Sequence, residues 1–301
     1  MDAARPDRKV ATGTPKLQCR VTSEGVAVVT LNDPATRNAM GDGITPFFRH
    51  LLHELRSDPD VRCLVITGAG AAFSSGGNMA GTDKTTLIPP PMPPSPTGWM
   101  PHADDPHGDF KLRQRTATGA LFHFPVPTIA ALPGPAAGFG ASIALACDLR
   151  VAAKGAFLAT AYIDIGLPGD YGGTWTLTQL VGPAIAKELA FTNRRVYADE
   201  GLELGLFNRV VPADKLSDAT LELAREIASK PANTLRRLKT NLNLAMQGVD
   251  FNTALDHEAV NLREHVASME GREEFAEARR RFVRRRRRRP QKAKDDAMSK
   301  L

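Results

Sequence analysis

Two glycine-rich turns contain backbone groups whose spacing could do chemistry. The stretches VITGAGAAFSSGGNM (65–79) and IAALPGPAAGFGASI (129–143) each run from an apolar segment into glycines and other small residues. Glycine lets a backbone N–H approach a ligand without a side chain in the way. Together the two turns could direct two N–H donors at one developing oxyanion, such as an enolate or a tetrahedral intermediate. Taken singly, each could equally be only a tight turn.

A third turn carries an acid. The stretch IGLPGDYGGTW (165–175) places Asp170 between glycines and beside Tyr171. A carboxylate in an apolar pocket has a raised pKa, which suits it to act first as a base and then as an acid. Alternatively, Asp170 hydrogen-bonds its own backbone, as turn aspartates commonly do. The residues alone leave both interpretations open.

Other glycine and cysteine chemistries fit less well. Both glycine turns lack the third glycine of a dinucleotide fingerprint, and no GxxxxGK[ST] phosphate loop exists. The stretch FSSGG (73–77) is not a GxSxG nucleophile elbow. Cys19, Cys63 and Cys147 lie far apart and show no metal-binding spacing. Such sparse cysteine usage is typical of a reducing compartment, so we expect a cytoplasmic protein.

The elements that must position these turns read as an α/β core followed by helices. An apolar run at VRCLVIT (61–67) predicts a strand buried on both faces, and VPTIAAL (126–132) and DLRVAA (148–153) read similarly. Residues 44–55 carry one apolar face at helical period, and residues 17–22 and 26–31 predict a hairpin. Strand, turn and helix in alternation indicate an α/β fold.

The charge of the chain is concentrated at its C-terminus. The formal net charge is +6, but nine arginines lie between Arg279 and Arg289, and without them acids outnumber bases. Such a tail could bind a polyanion such as nucleic acid, or it could be a solvated, frayed terminus. No apolar run is long enough to span a membrane, so no membrane partner is expected.

Several stretches, in order, resemble the crotonase superfamily, the enoyl-CoA hydratase/isomerase family. The resemblance covers roughly residues 17–283, and it is carried by RNAM (37–40), VRCLVITGAGAAFSSGGNM (61–79), VPTIAALPGPAAGFGASIALACDLRVAA (126–153), IGLPGDYGGTW (165–175), ADEGLELGLFNRVVP (198–212) and EGREEFAEARRRF (270–282).

The resemblance implies an α/β fold, a crotonase-like spiral of ββα repeats with a helical C-terminal trimerisation region. We accordingly expect a disordered arm over residues 1–16 and a spiral core over 17–197. A proline-rich insertion at 84–110 would interrupt that core. A helical region over 198–283 and a basic tail over 284–301 would follow.

The resemblance also implies site residues. The substrate would be an acyl-CoA thioester, with no metal and no separate cofactor, since CoA is part of the substrate. The oxyanion hole would be the N–H groups of Gly77 and Phe139, with Asp170 where family isomerases place an acidic base. A wider substrate-binding set would follow, its first four members near the CoA nucleotide: Arg37, Ala39, Ser75, Met79, Gly138, Ser142 and Tyr171.

One departure from the family pattern bears on the reaction. Family hydratases use two glutamates to activate and deliver water, and here those positions hold Ser142 and Tyr162. Neither is a good base near neutral pH. Isomerisation needs one base and no water, so we predict an enoyl-CoA isomerase with Asp170 as base, and Tyr162 hydrogen-bonding the substrate or Asp170.

Two alternatives stay open. One is a hydratase, lyase or hydrolase that uses water placed by Asp170 and Tyr162. The other is a non-catalytic protein that binds acyl-CoA or RNA, suggested by the missing glutamates and the arginine tail. The family further implies a homotrimer or a hexamer.

Overall fold

The computed structural model describes residues 6–79 and 87–298. The strands are β1 Arg8–Val10, β2 Leu17–Val21, β3 Val26–Leu31, β4 Cys63–Gly68, β5 Thr128–Leu132, β6 Ala136–Ala137, β7 Leu149–Ala153, β8 Phe157–Ala159, β9 Val196–Tyr197 and β10 Arg209–Val211. The α-helices are α1 Thr45–Arg56, α2 Gly108–Thr116, α3 Thr118–Phe122, α4 Phe139–Ala146, α5 Gly173–Thr192, α6 Ala198–Glu203, α7 Leu216–Ala228, α8 Ala232–Met246, α9 Phe251–Ala267 and α10 Met269–Met298.

A mostly parallel sheet forms the centre of residues 6–229. Its strand order is β1-β2-β3-β4-β5-β7-β10, with antiparallel pairing only among the first three strands. All five residues of β5 are buried, as is typical of a strand covered on both faces. One apolar cluster covers the face that packs α1 and α4, and a second covers the face that packs α7. The predicted α/β class is confirmed.

A short second sheet joins β6, β8 and β9. Strand β6 lies between β5 and α4 in the chain, so it carries the second glycine turn away from the main sheet. Its partner β8 leads into the segment that contains Tyr162 and Asp170. This small sheet therefore connects the second glycine turn to the acidic turn.

Arg150 holds three segments of the core together. It lies on β7, is only 2% exposed, and its guanidinium reaches carbonyl oxygens rather than solvent. Its Nε donates to Leu206 O at 2.6 Å, and its Nη1 donates to Cys147 O at 2.7 Å and Ala144 O at 3.4 Å. Two of these acceptors lie at the C-terminus of α4, where a cation also meets the negative end of the helix dipole.

The chain divides into two compact units, Met1–Ser229 and Lys230–Leu301. This division lies later than the predicted boundary at 197/198, because β10 pairs with β7 and α7 packs on the sheet. The second unit consists of α8, α9 and α10. Asp250 caps α9 by accepting from the N–H groups of Asn252 and Thr253.

Three terminal and loop predictions also differ from the structure. Strand β1 lies within the segment 1–16 that the sequence predicted to be disordered, and it pairs with β2. Helix α10 continues through the arginine run, where a frayed terminus was one expectation. The predicted insertion at 84–110 ends in the start of α2; its residues 84–86 lie outside the described residues, as do 1–5 and 299–301.

Among the residues that the structure describes, no helix has the length and apolar character needed to cross a membrane.

We expect Arg150→Met to lower the free energy of unfolding by about 2–4 kcal/mol, because it removes three charge-assisted hydrogen bonds to buried carbonyl oxygens. Chemical denaturation followed by circular dichroism measures this change. Arg20→Met is the matched control, since Arg20 is exposed on strand β2 and should change stability little. An unchanged denaturation midpoint in Arg150→Met would contradict the role of the guanidinium.

Candidate active site

The two glycine turns meet as neighbouring backbones. Ser74 N–H donates to Pro135 O at 3.2 Å, and Ala137 N–H donates to Ser74 O at 3.0 Å. Gly76 has a φ of +99°, and a Cβ added there would lie 2.8 Å from Ala137 O. A side chain at this position would be strained and would separate the turns, so glycine is required for their close approach.

Gly77 and Phe139 each present a backbone N–H that has no acceptor among the described residues. Met40 N–H donates to Gly76 O, and Asn78 N–H donates to Met40 O, so the N–H of Gly77 points away from Met40. Phe139 is the first residue of α4, and first-turn N–H groups have no acceptor within their helix. Within residues 6–79 and 87–298, neither N–H donates a hydrogen bond. Both residues are therefore free to bind a ligand atom.

Gly77, Gly138, Phe139 and Asp170 line one cavity of about 440 Å³, called here the glycine-turn cavity. The structure thus brings both glycine turns and the acidic turn to one place. A pair of N–H donors beside a carboxylate can stabilise negative charge on an oxygen while a proton is removed nearby. The predicted oxyanion hole stays a prediction about function, and this grouping of residues is consistent with it.

Asp170 is a partly buried carboxyl group that faces the cavity. Its Oδ1 is buried and has no hydrogen-bond partner in the part of the chain that the structure describes. Burial raises the pKa of Asp170, and the nearby Tyr162 hydroxyl opposes part of that shift. The turn interpretation, in which this carboxylate bonds its own backbone, receives no support from Oδ1. An acid with a raised pKa and a free oxygen is suited to proton transfer.

The two positions without glutamates form a hydroxyl pair. Ser142 Oγ lies 2.9 Å from the Tyr162 hydroxyl oxygen and 3.4 Å from the backbone oxygen of Asp170. Burial raises the pKa of Tyr162, so its phenol stays protonated. Tyr162 lines the cavity, whereas Ser142, 1% exposed, lies behind it and is not among the lining residues. Ser142 therefore positions Tyr162 and Asp170 rather than contacting a ligand in the cavity.

Aromatic rings form one wall of the cavity. Tyr171 stacks on Phe139 with ring centroids 3.6 Å apart, and Phe110 meets Tyr171 edge-on at 6.0 Å. The Tyr171 N–H donates to Gln114 Oε1 at 2.7 Å, which ties this turn to α2. Tyr171 lines the cavity, and its predicted part in substrate binding stays a prediction. Phe110 was missed, because the segment before it has no helical period.

The residues predicted for the CoA end lie together, but they differ in exposure. Ser75 and Met79 line the cavity. Ser75 N–H donates to Arg37 O at 2.9 Å, which places the exposed Arg37 next to Ser75. Ala39 is 8% exposed and is not among the cavity-lining residues, so its side chain serves packing. Of the four residues predicted for the CoA end, Ser75 and Met79 therefore line the cavity, Arg37 is exposed beside Ser75, and Ala39 is buried.

Arg49 is a cavity residue that the sequence reasoning missed. It lies on α1, is 6% exposed, and lines the cavity. Its Nε and Nη1 are buried and have no hydrogen-bond partner among the described residues. The signal in the sequence was a single arginine beside the apolar face of residues 44–55, which by itself predicts only a solvated side chain.

We expect Asp170→Asn to raise the melting temperature near neutral pH. The unfolded carboxyl has a pKa of about 3.9, and the folded one titrates higher. Wild-type stability is therefore lost as pH rises through the folded pKa, and the variant avoids that loss. Each kcal/mol gained corresponds to about 2–4 °C. Thermal melts from pH 3.5 to 8 should show that the melting temperature of Asp170→Asn exceeds that of the wild type by less and less as the pH falls. A difference in melting temperature that does not change with pH would contradict a buried, charged Asp170.

Comparison with known proteins gives one consistent result. The family model described as enoyl-CoA hydratase/isomerase matches residues 21–89 and 100–286. The chain is 31% identical over 235 residues to the short-chain-enoyl-CoA hydratase of Clostridium acetobutylicum, covering 78% of this chain and 83% of that protein. It is 32% identical over 235 residues to the 1,2-epoxyphenylacetyl-CoA isomerase of Escherichia coli K12, covering 78% and 84%.

A solved structure matches the fold. The crystal structure of enoyl-CoA hydratase subunit I from Geobacillus kaustophilus HTA426 superposes with a TM-score of 0.76 and 26% identity, covering 91% of this chain and 96% of that one. The predicted crotonase-like fold and the resemblance stated from the motifs are therefore confirmed. On the family match and these relatives, the chain belongs to the enoyl-CoA hydratase/isomerase family of the crotonase superfamily.

Proposed function

We propose that this protein is an enzyme that moves the double bond of an enoyl-CoA, with Asp170 as the single proton-transfer group. One observation carries the proposal: within the described residues, the buried Oδ1 of Asp170 and the N–H groups of Gly77 and Phe139 have no hydrogen-bond partner, and all three residues line the same cavity. The hydroxyl pair of Ser142 and Tyr162 supports it, because neither group can replace a glutamate as a base.

The proposed reaction balances without any further reactant. Asp170 removes a proton from the α-carbon of a 3-enoyl-CoA, and the electron pair moves onto the thioester oxygen. The N–H groups of Gly77 and Phe139 hydrogen-bond the dienolate that forms. The electron pair then returns, and the carboxylic acid of Asp170 gives the proton to the γ-carbon. The product is the conjugated 2-enoyl-CoA, and the carboxylate is regenerated.

Hydration is the alternative reaction in the same cavity. A hydratase without both glutamates would need Asp170 to activate the water and deliver its proton, with the Tyr162 hydroxyl holding that water. The match to a protein named as a short-chain-enoyl-CoA hydratase is the reason to test it. Trimer or hexamer assembly and polyanion binding by the arginine tail stay predictions.

Asp170→Asn should lower kcat for isomerisation by about 10²–10⁴-fold, the usual contribution of a positioned acid–base group. The assay follows a medium-chain 3-enoyl-CoA and a 2-enoyl-CoA by mass spectrometry in heavy water. A shifted double bond with deuterium uptake and no added water is expected. Asp164→Asn, an exposed acid in the same segment, is the matched control and should keep its activity.

Two results would overturn the proposal. Gain of one water by the 2-enoyl-CoA as the main reaction would assign hydration instead. Full isomerase activity in Asp170→Asn would remove Asp170 from the mechanism. Retained binding of CoA esters by that variant, measured by calorimetry, shows that a loss of activity is not a loss of binding.

The N–H of Phe139 can be tested separately, because proline is tolerated at the first position of a helix. Phe139→Pro removes both the ring and the N–H, whereas Phe139→Ala removes only the ring that stacks on Tyr171. We expect kcat of Phe139→Pro to lie about 10²–10³-fold below that of Phe139→Ala, the effect of losing one oxyanion donor. Equal kcat values in two variants with equal melting temperatures would exclude this N–H from the oxyanion hole.

A further inference from the structure

Arg49 is a buried cation in the wall of the glycine-turn cavity that the proposed reaction does not use. Its side chain projects from α1, and it is 6% exposed. The guanidinium Nε and Nη1 are both buried, and neither has an acceptor among the described residues. Burial lowers the pKa of Arg49, yet an arginine stays protonated in proteins. The wall of the cavity therefore contains a positive charge, two of whose donors have no acceptor among the described residues.

The groups around Arg49 do not neutralise it through hydrogen bonds. Among the described residues, Tyr171, Arg113, Asp109 and Asp42 interact electrostatically with its guanidinium. Asp109 is engaged by Arg113, whose Nε donates to Asp109 Oδ2 at 2.6 Å. Asp42 is exposed at the rim of the cavity. A buried charge without a bonded partner is costly to keep, so its presence in the wall suggests a function in binding.

Arg49 has different neighbours from the residues predicted for the CoA end. Arg37 and Ser75 are joined by a backbone hydrogen bond on the side of the first glycine turn. Arg49 is instead near Tyr171, whose ring stacks on Phe139, and near Arg113 on α2. With the thioester oxygen at the N–H groups of Gly77 and Phe139, the acyl chain would extend along Tyr171 towards Arg49.

We propose that Arg49 binds a carboxylate at the far end of the acyl group, so that the preferred substrates are CoA thioesters of dicarboxylic acids. The inference rests on the proposed function, because it assumes an acyl-CoA in the glycine-turn cavity. A guanidinium presents paired N–H donors that match a carboxylate, and such charge-assisted pairs are the stronger class of hydrogen bond. A phosphate of CoA would be recognised by the same donors, and the experiment separates these two sources.

Calorimetry with saturated CoA esters tests the proposal without turnover. The pairs are hexanoyl-CoA with adipoyl-CoA and valeryl-CoA with glutaryl-CoA, which differ in whether the chain ends in a methyl or a carboxylate. The dicarboxylic ester of at least one pair should bind the wild type about 10- to 100-fold more tightly, as expected for hydrogen bonds to a charged group. Arg49→Met should remove this preference and leave binding of the methyl-ended esters unchanged or stronger.

The variants also control for folding and for charge alone. Arg49→Met removes a buried charge, so its melting temperature should equal or exceed that of the wild type. Arg113→Met removes an exposed cation of the same cavity and should keep most of the preference. If the wild type binds both members of each pair equally, or if Arg49→Met keeps the preference, the proposal fails.

Other results would show which part of the proposal is wrong. Equal weakening of both esters in Arg49→Met would assign Arg49 to a phosphate of CoA and overturn the carboxylate assignment. Loss of preference in Arg113→Met alone would transfer the role to Arg113. If no CoA ester binds the wild type, the proposed function itself fails, whereas tight binding without discrimination contradicts only the role of Arg49.

Discussion

The contact between the two glycine turns is the constraint on which the rest of the site depends. The Ser74 N–H donates to Pro135 O, and Ser74 O accepts from the Ala137 N–H. Gly76 lies against the carbonyl of Ala137, where no side chain would fit. This contact places Gly77 beside the first turn of α4. It works only because β4 and β5 are adjacent parallel strands, whose carboxyl ends lie at the same edge of the sheet.

The electrostatics of the cavity follow from burial more than from ion pairing. Burial is the largest cause of both the raised pKa of Asp170 and the lowered pKa of Arg49. Ser142 and Tyr162 complete the site with two neutral hydroxyl groups that hydrogen-bond each other. In this cavity Asp170 Oδ1 and the Nε and Nη1 of Arg49 have no hydrogen-bond partner among the described residues. In a site open to water both groups would be solvated, and their charges would be screened.

Local patterns carried much of the prediction. The buried strands at 61–67 and 126–132 were recognised because near-continuous apolar runs suit a strand covered on both faces. The glycine turns and Asp170 were recognised by residue type alone, and the structure brings them to one cavity. Ser142 was predicted to bind substrate, but in the structure it hydrogen-bonds Tyr162 behind the cavity. The sequence does not reveal whether a serine in the first turn of a helix faces a ligand or a neighbouring tyrosine.

The sequence by itself determined the α/β class, the family and the turns whose backbones could stabilise an oxyanion, because strand burial, glycine placement and motif order are local properties. Only the tertiary structure decided which side chains share the cavity. Phe110 and Arg49 lie far along the chain from Asp170. The local sequence pattern predicts a loop before Phe110 and a solvated side chain for Arg49. Arg49 is buried and Phe110 packs on Tyr171 because α1, α2 and the acidic turn come together, and such long-range packing is not encoded in local spacing.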